Sequence, residues 1–196
     1  MRRFLFLGCL LLALLAPPVA FAQAQETAAP SAEQTAETSR LDQLFVELKR
    51  ENNEAAARRI AQRISEEWQR SGGDTADLLI EWAQKAASSE KYNVALDLLD
   101  QAVTLYPEYV EGWNSRALIY LMMNDYSRAM SDLSHVLSIE PRHFGAMSGL
   151  AGIMRVTGRP ERALELYRRM LEIYPMQRSA QRALLSITDE QTDERL

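Results

Sequence analysis

His135 and His143 are the two histidines of this 196-residue chain, and Cys9 is its one cysteine. A catalytic or metal centre would be built from such residues. Zinc needs ligands brought to one point at short spacing, and a nucleophile needs a base beside it. Neither histidine has a zinc-ligand spacing or lies beside a serine in a nucleophile-elbow motif. Both read as surface or half-buried side chains. Gly149 to Gly152 reads G-L-A-G but lacks the lysine and preceding strand of a phosphate loop. The many carboxylates fit the solvated faces of helices. The expectation is a chain with no catalytic residue, no metal and no cofactor.

Cys9 belongs to a segment of different material. Arg2 and Arg3 precede the apolar run Phe4 to Ala16, Pro17 and Pro18 break it, and Ala20 to Ala22 supply a small-x-small cleavage pattern. That order is the order of a secretory signal, and the run is short for a membrane span. Residues 1–22 are therefore expected to be a cleavable signal peptide, cut after Ala22, with Ala22 to Ala24 as a second cleavage pattern and an uncleaved anchor as the alternative. Twin-arginine export fits the surrounding residues poorly. Lipidation of Cys9 fits poorly too, because it lies within the apolar run with Phe6 at the usual leucine position. A periplasmic location follows as an expectation. Loss of two arginines and the cysteine leaves 20 basic and 27 acidic residues, net −7, from 22 and 27 in the whole chain. This balance argues against general nucleic-acid binding, which needs a concentrated positive face. A cysteine-free mature chain also excludes thiol catalysis and thiolate metal sites.

The elements that position everything else are helical. Residues 23–39 are rich in Ala, Gln, Glu and Thr with no large apolar side chain, and are expected to be a flexible linker. From Leu41 onward the apolar residues recur at helical spacing, with short breaks at Gly72-Gly73, Pro107, Asn124-Asp125, Pro141, Gly158 to Pro160, and Pro175. Pro107, Pro141 and Pro175 are 34 residues apart each time, and each closes a similar apolar ending: V-T-L-Y-P, L-S-I-E-P, L-E-I-Y-P. Aligned on those prolines, Ala95, Ala129 and Ala163 share a column, as do Ala83, Ala117 and Ala151, Leu99, Leu133 and Tyr167, and Ala102, Val136 and Met170. Small residues in fixed register imply helices in close contact, with larger ones filling the space between units.

This pattern resembles the tetratricopeptide repeat (TPR), a 34-residue helix-turn-helix unit. Trp113 to Tyr120, W-N-S-R-A-L-I-Y, is similar to the family's opening motif, with Arg116 in place of leucine and Ala117 in place of glycine. Y-N-V-A at 92–95, Y-S-R-A at 126–129 and P-E-R-A at 160–163 open the second helices, placing His135 on one of them. The resemblance covers roughly residues 41–187. It is closest to short exported TPR proteins of Gram-negative bacteria. It implies an all-α right-handed solenoid of antiparallel helix pairs. The expected divisions are a degenerate N-terminal hairpin at 40–73, read as a fourth unit, with Asp74 as the following N-cap, repeats at 74–109, 110–143 and 144–175, a capping helix at 176–187 and a polar tail at 188–196. Trp68, Trp82 and Trp113 are expected in the core rather than on a stacking platform. The methionines are expected to fill gaps.

The resemblance also implies a function. First helices face a concave groove that takes an extended peptide or a helix from a protein partner. The implied lining is Asp77, Ile80, Gln84, Glu111, Asn114, Leu118, Leu121, Gly145, Ser148, Gly149, Gly152 and Arg155. The family's lysine/asparagine/arginine clamp for a partner's C-terminal carboxylate is missing, with only Asn114 and Arg155 able to contribute. Gly145, Gly149 and Gly152 share one face, which implies either close internal packing or a docked partner. Charge is uneven: residues 74–141 carry 11 acids and 4 bases, net −7, and residues 142–182 carry 3 acids and 8 bases, net +5. This is either ordinary helix surface or a basic end for an anionic partner or membrane face. The expected function is a non-catalytic interaction scaffold or adaptor in the bacterial cell envelope. The alternative is a self-associating structural protein, and an enzyme is the remote third.

Overall fold

The structure is a computed structural model and describes residues 32–70 and 73–193. The expected signal peptide and its cleavage point lie outside those residues. Within them run nine helices and no strand. They are α1 (Ala32–Arg50), α2 (Glu54–Arg70), α3 (Gly73–Ser88), α4 (Tyr92–Leu105), α5 (Val110–Met122), α6 (Tyr126–Ile139), α7 (Phe144–Val156), α8 (Pro160–Ile173) and α9 (Arg178–Asp193).

Helices α3–α8 form three antiparallel pairs, and the 34-residue register sets every boundary except the start of α3. The second helices start at Tyr92, Tyr126 and Pro160, and α5, α7 and α9 start at Val110, Phe144 and Arg178. Each second helix stops one residue short of the Tyr-Pro or Glu-Pro pair, because the residue before proline is pushed out of helical geometry; Tyr106, for example, takes φ −130 and ψ 68. The turn inside each pair is also periodic. Glu90, Asn124 and Gly158 all have positive φ, near 57, 58 and 71. The following amides, Lys91, Asp125 and Arg159, bond back to the carbonyls of Ala86, Tyr120 and Met154, the Schellman closure of a helix end. Gly158 meets that geometry without strain, whereas Glu90 carries a side chain there and pays roughly 1 kcal/mol.

The aligned columns form the core. Ala95, Ala129 and Ala163 are fully buried, as are Ala102, Val136 and Met170, with Ala83, Ala117 and Ala151 at 0–1% exposure. Trp82, expected in the core, is 49% exposed. Its counterparts one and two repeats on are Arg116 and Leu150, which lean on α4 and α6 of the preceding repeat. Among the described residues no repeat precedes α3 on that face, and Trp82 and its neighbour Leu78 stand open to solvent.

The N-terminal hairpin departs most from expectation. Its placement is not that of a further unit stacked in line. It runs lengthwise along the turns that join one repeat to the next. At one end the Tyr109 hydroxyl donates to the Gln69 carbonyl at 2.7 Å. In the middle Trp68 packs on His143 and Phe144, and Arg142 pairs with Asp42 while lying 4.2 Å above the Phe45 ring. At the far end Glu54 pairs with Arg178, and Tyr174 joins the hairpin's own core of Leu44, Leu48, Ile64 and Trp68. Three successive joints are thus bridged by one helix pair.

Smaller differences have local causes. α1 begins at Ala32, inside the stretch expected to be linker, because Ala, Glu and Gln favour helix without needing a core. α3 begins at Gly73, which puts Asp74 in the first helical turn rather than at the cap. α9 runs beyond 187 to Asp193. Ala180 and Ile187 are buried against α8, so α9 covers the last repeat as expected.

Candidate functional site

Four hollows follow one another along the first-helix side of the repeats, and the twelve residues expected there line them. Asp77, Ile80 and Gln84 of α3 line the first, about 350 Å³, with Tyr109. Gln84 continues into the second, about 290 Å³, joined by Glu111, Asn114 and Leu118. Asn114, Leu118 and Leu121 continue into the third, about 650 Å³, with Gly145, Ser148, Gly149 and Gly152. Gly152 and Arg155 line the fourth, beside α9. Shared residues at each junction make this one continuous groove.

The three glycines serve different ends. A Cβ on Gly149 would come within 2.9 Å of Leu133 Cδ1, so this glycine lets α7 close on α6 of the preceding repeat. A Cβ on Gly145 would meet the His143 ring at 3.2 Å. A Cβ on Gly152 would meet nothing within 4 Å. Of these three, Gly152 is the one whose space is open to the groove.

The same register reveals lining residues missed in the sequence. Ser88, Met122 and Val156 are 34 apart and all line the groove. Met122 in the second hollow and Val156 in the third are 49% and 65% exposed, so both hollows carry exposed apolar side chains. Glu66, Gln69 and Arg70 of α2 wall the first hollow. No sequence signal foretold them, since they depend on where the hairpin lies.

The acidic end has its own hydrogen-bond logic. Glu111 accepts from Asn114 Nδ2 at 3.0 Å, so the Asn114 side chain is held against its own helix, α5. His143, read from sequence as surface or half-buried, is 2% exposed. Its Nδ1 accepts the Ala146 amide at 3.0 Å and caps α7. A ring nitrogen that accepts carries no proton, which leaves the proton on Nε2, 3.6 Å from Glu111 Oε2. Tyr109 lies between Asp77 and Glu111. Burial, and then the charge of these two carboxylates, pushes its phenol above the ordinary range.

Asn114 and Arg155 do not converge. Asn114 is held by Glu111 near the middle, and Arg155 sits in the last hollow, 3.9 Å from Glu190. Away from the groove, a buried polar cluster that sequence reading passed over ties α4, α5 and α6. Arg116 donates twice to Asp132, at 2.7 and 2.8 Å, and once to Asp100 at 2.8 Å, and its guanidinium lies over Trp113.

Comparison with known proteins agrees with this geometry. Two family models described as Tetratricopeptide repeat match residues 80–136 and 120–187. A TPR repeat-containing protein of Rhizobium etli is 49% identical over 142 residues, covering 72% of this chain and 70% of that one. Small glutamine-rich tetratricopeptide repeat-containing protein 2 of Saccharomyces cerevisiae is 29% identical over 89 residues, 45% of this chain and 26% of that protein, so it shares a segment alone. The first TPR of Spaghetti, solved with an HSP90 peptide, superposes with a TM-score of 0.57 at 22% identity over 62% of this chain and 98% of its own. The TPR domain of Sgt2 from Aspergillus fumigatus also gives 0.57, at 20% identity over 63% of this chain and 83% of that one. These likenesses agree on the same helix-turn-helix unit, and the chain belongs to the tetratricopeptide repeat family.

Proposed function

We propose that this protein is a non-catalytic adaptor of the bacterial cell envelope that holds a peptide or helix of a partner protein in its concave groove. The repeats themselves make it a protein-protein interaction scaffold. The observation that carries the finer reading is the open third hollow, where Leu118 and Val156 are exposed and Gly152 leaves room above the α7 backbone. The Spaghetti TPR, which holds an HSP90 peptide, supports the choice of a peptide-sized occupant. Gly152→Leu fills the space. The variant is expected to melt like the parent and to lose the partner in a pull-down from envelope extract. A stably folded variant that still captures the partner overturns the groove as its site.

Export to the periplasm by the N-terminal segment belongs to the same proposal and rests on the order of charge, apolar run and small residues in 1–22. N-terminal sequencing of the cell-derived protein should begin near Gln23, and an intact Met1 in a cytosolic fraction defeats it. A second reading, self-association end to end, is favoured by the uncovered Leu78 and Trp82 at the first repeat. Light scattering after size exclusion separates the two, because an adaptor elutes as a monomer that Trp82→Ser leaves unchanged.

A further inference from the structure

The groove is acidic at its α3 end and apolar between α5 and α7. In the first hollow Glu66, Asp77 and Glu81 face a single cation, Arg70. Among the described residues neither Asp77 nor Glu81 forms an ion pair, and Asp77 has only the Tyr109 hydroxyl, at 3.3 Å. Glu111 adds a fourth carboxylate where the second hollow begins. Elsewhere the carboxylates that lie close to other helices are matched: Asp100 and Asp132 by Arg116, Glu140 and Asp42 by Arg142, Glu54 by Arg178. The raised phenol of Tyr109, after its burial, registers the same uncompensated charge. Beyond Gln84 the groove turns apolar, with Leu118, Met122 and Val156 at 49–65% exposure.

We propose that the groove takes a polypeptide segment that is cationic at one end and apolar at the other, with lysine or arginine over Asp77 and Glu81 and aliphatic or aromatic side chains on Leu118, Met122 and Val156. This rests on the groove reading above and specifies the chemistry of its occupant. Neighbouring helices pack at roughly 8–10 Å, so the two ends of the site lie roughly 10–20 Å apart. A helical partner spans that distance in roughly 7–13 residues at 1.5 Å each. An extended one spans it in roughly 3–6. The carboxylates steer the basic end, and partial burial in a concave wall weakens solvent screening of that attraction. The apolar rim contributes area lost to water on both sides.

A random 16-residue peptide library displayed on phage, panned against the purified chain, is the probe. Captured peptides are expected to combine Lys or Arg with apolar residues. A representative synthetic peptide should bind roughly tenfold more weakly to Glu81→Lys, weaken as NaCl rises, and lose binding to Gly152→Leu. Glu81 is exposed and makes no hydrogen bond or ion pair, so its replacement is expected to leave the fold in place, which circular dichroism melting checks; Glu81→Gln, with charge removed and not reversed, should fall between parent and Glu81→Lys. Acidic or uncharged captured peptides that Gly152→Leu still abolishes overturn this inference and leave the groove reading standing. Captured peptides indifferent to both Glu81→Lys and Gly152→Leu, or no enrichment at all, overturn both.

Discussion

The imidazole of His143 lies flat on the indole of Trp68, ring centroids 4.0 Å apart and planes 19° from parallel. Trp68 is on the N-terminal hairpin and His143 caps the last repeat. A pair 75 positions apart in sequence, from 68 to 143, therefore anchors the hairpin to the solenoid. Truncating a buried tryptophan costs roughly 3–5 kcal/mol. Trp68→Ala should release α1 and α2 while leaving α3–α9 folded. Hydrogen exchange read by mass spectrometry should show protection lost in residues 40–70 and kept in the repeats. Uniform loss across the chain would mean that the hairpin and repeats unfold as one unit.

Ala129 is fully buried where α6 meets α5. Ala129→Leu inserts three carbons into a filled space, and overpacking of this kind costs roughly 1–3 kcal/mol. The melting temperature should fall. An unchanged melt would break the assignment of the small-residue column to the tightest helix contact.

Arg116 and Asp132 occupy columns that hold Leu150 and Leu166 in the next repeat, where the two leucines share one apolar cluster. Arg116 is 16% exposed and Asp132 5%. Removing one partner strands the other's charge, so Arg116→Leu should cost roughly 3–5 kcal/mol. The double variant Arg116→Leu with Asp132→Leu restores the apolar pair and should recover most of that loss. Chemical denaturation of the four species of the cycle measures the coupling, and simple additivity would sink the account.

Tyr109, with Tyr174 also raised by burial, is a phenol whose ionisation should show in the pH profile. Its folded value is raised above the ordinary 10.0, by burial first and then by Asp77 and Glu111. The unfolded phenol ionises near that ordinary value while the folded one keeps its proton. Its contribution is therefore complete below about pH 10 and is lost as pH rises toward the folded value. Urea melts between pH 9 and 11, on the order of one unit either side of the ordinary phenol value, should show falling stability that Tyr109→Phe flattens. An identical alkaline slope in Tyr109→Phe would assign the loss elsewhere.

Gly149 and Gly152 predict opposite outcomes from the same substitution. Gly152→Ala meets open space and should stabilise α7 by roughly 0.5–1 kcal/mol. Gly149→Ala brings a methyl to 2.9 Å from Leu133, itself 2% exposed, and should give no gain or a loss. Equal gains at both positions, by thermal melting, would refute the distinction.

The repeat was legible in sequence because each unit spends its side chains on contacts within itself and with its neighbour. Pro107, Pro141 and Pro175, and the alanine columns between them, report those local contacts directly. The groove was legible for the same reason, since Ile80, Asn114 and Ser148 sit at equivalent faces of helices whose register was already known. Trp82 was misplaced because a column tells which way a residue points and not whether a preceding unit is there to receive it. His143 hid its role because a capping nitrogen leaves no spacing pattern. The lie of the hairpin was not legible at all. Trp68 and Ile64 gave its buried stripe but not its receiver, which is assembled from three turns that share no motif with it.

A stack of like units behaves as a spring, in which small rotations at successive joints add up to pitch. The α1–α2 pair is fastened at Tyr109, at Arg142 and His143, and at Tyr174 and Arg178. It acts as a splint across those coils. α2 has 17 residues, a rod of roughly 25 Å, and that fixed length gauges how far the coil opens. A coil tethered at three joints has little freedom to change its pitch. Sequence drift at any one joint is then absorbed by the splint instead of accumulating along the axis.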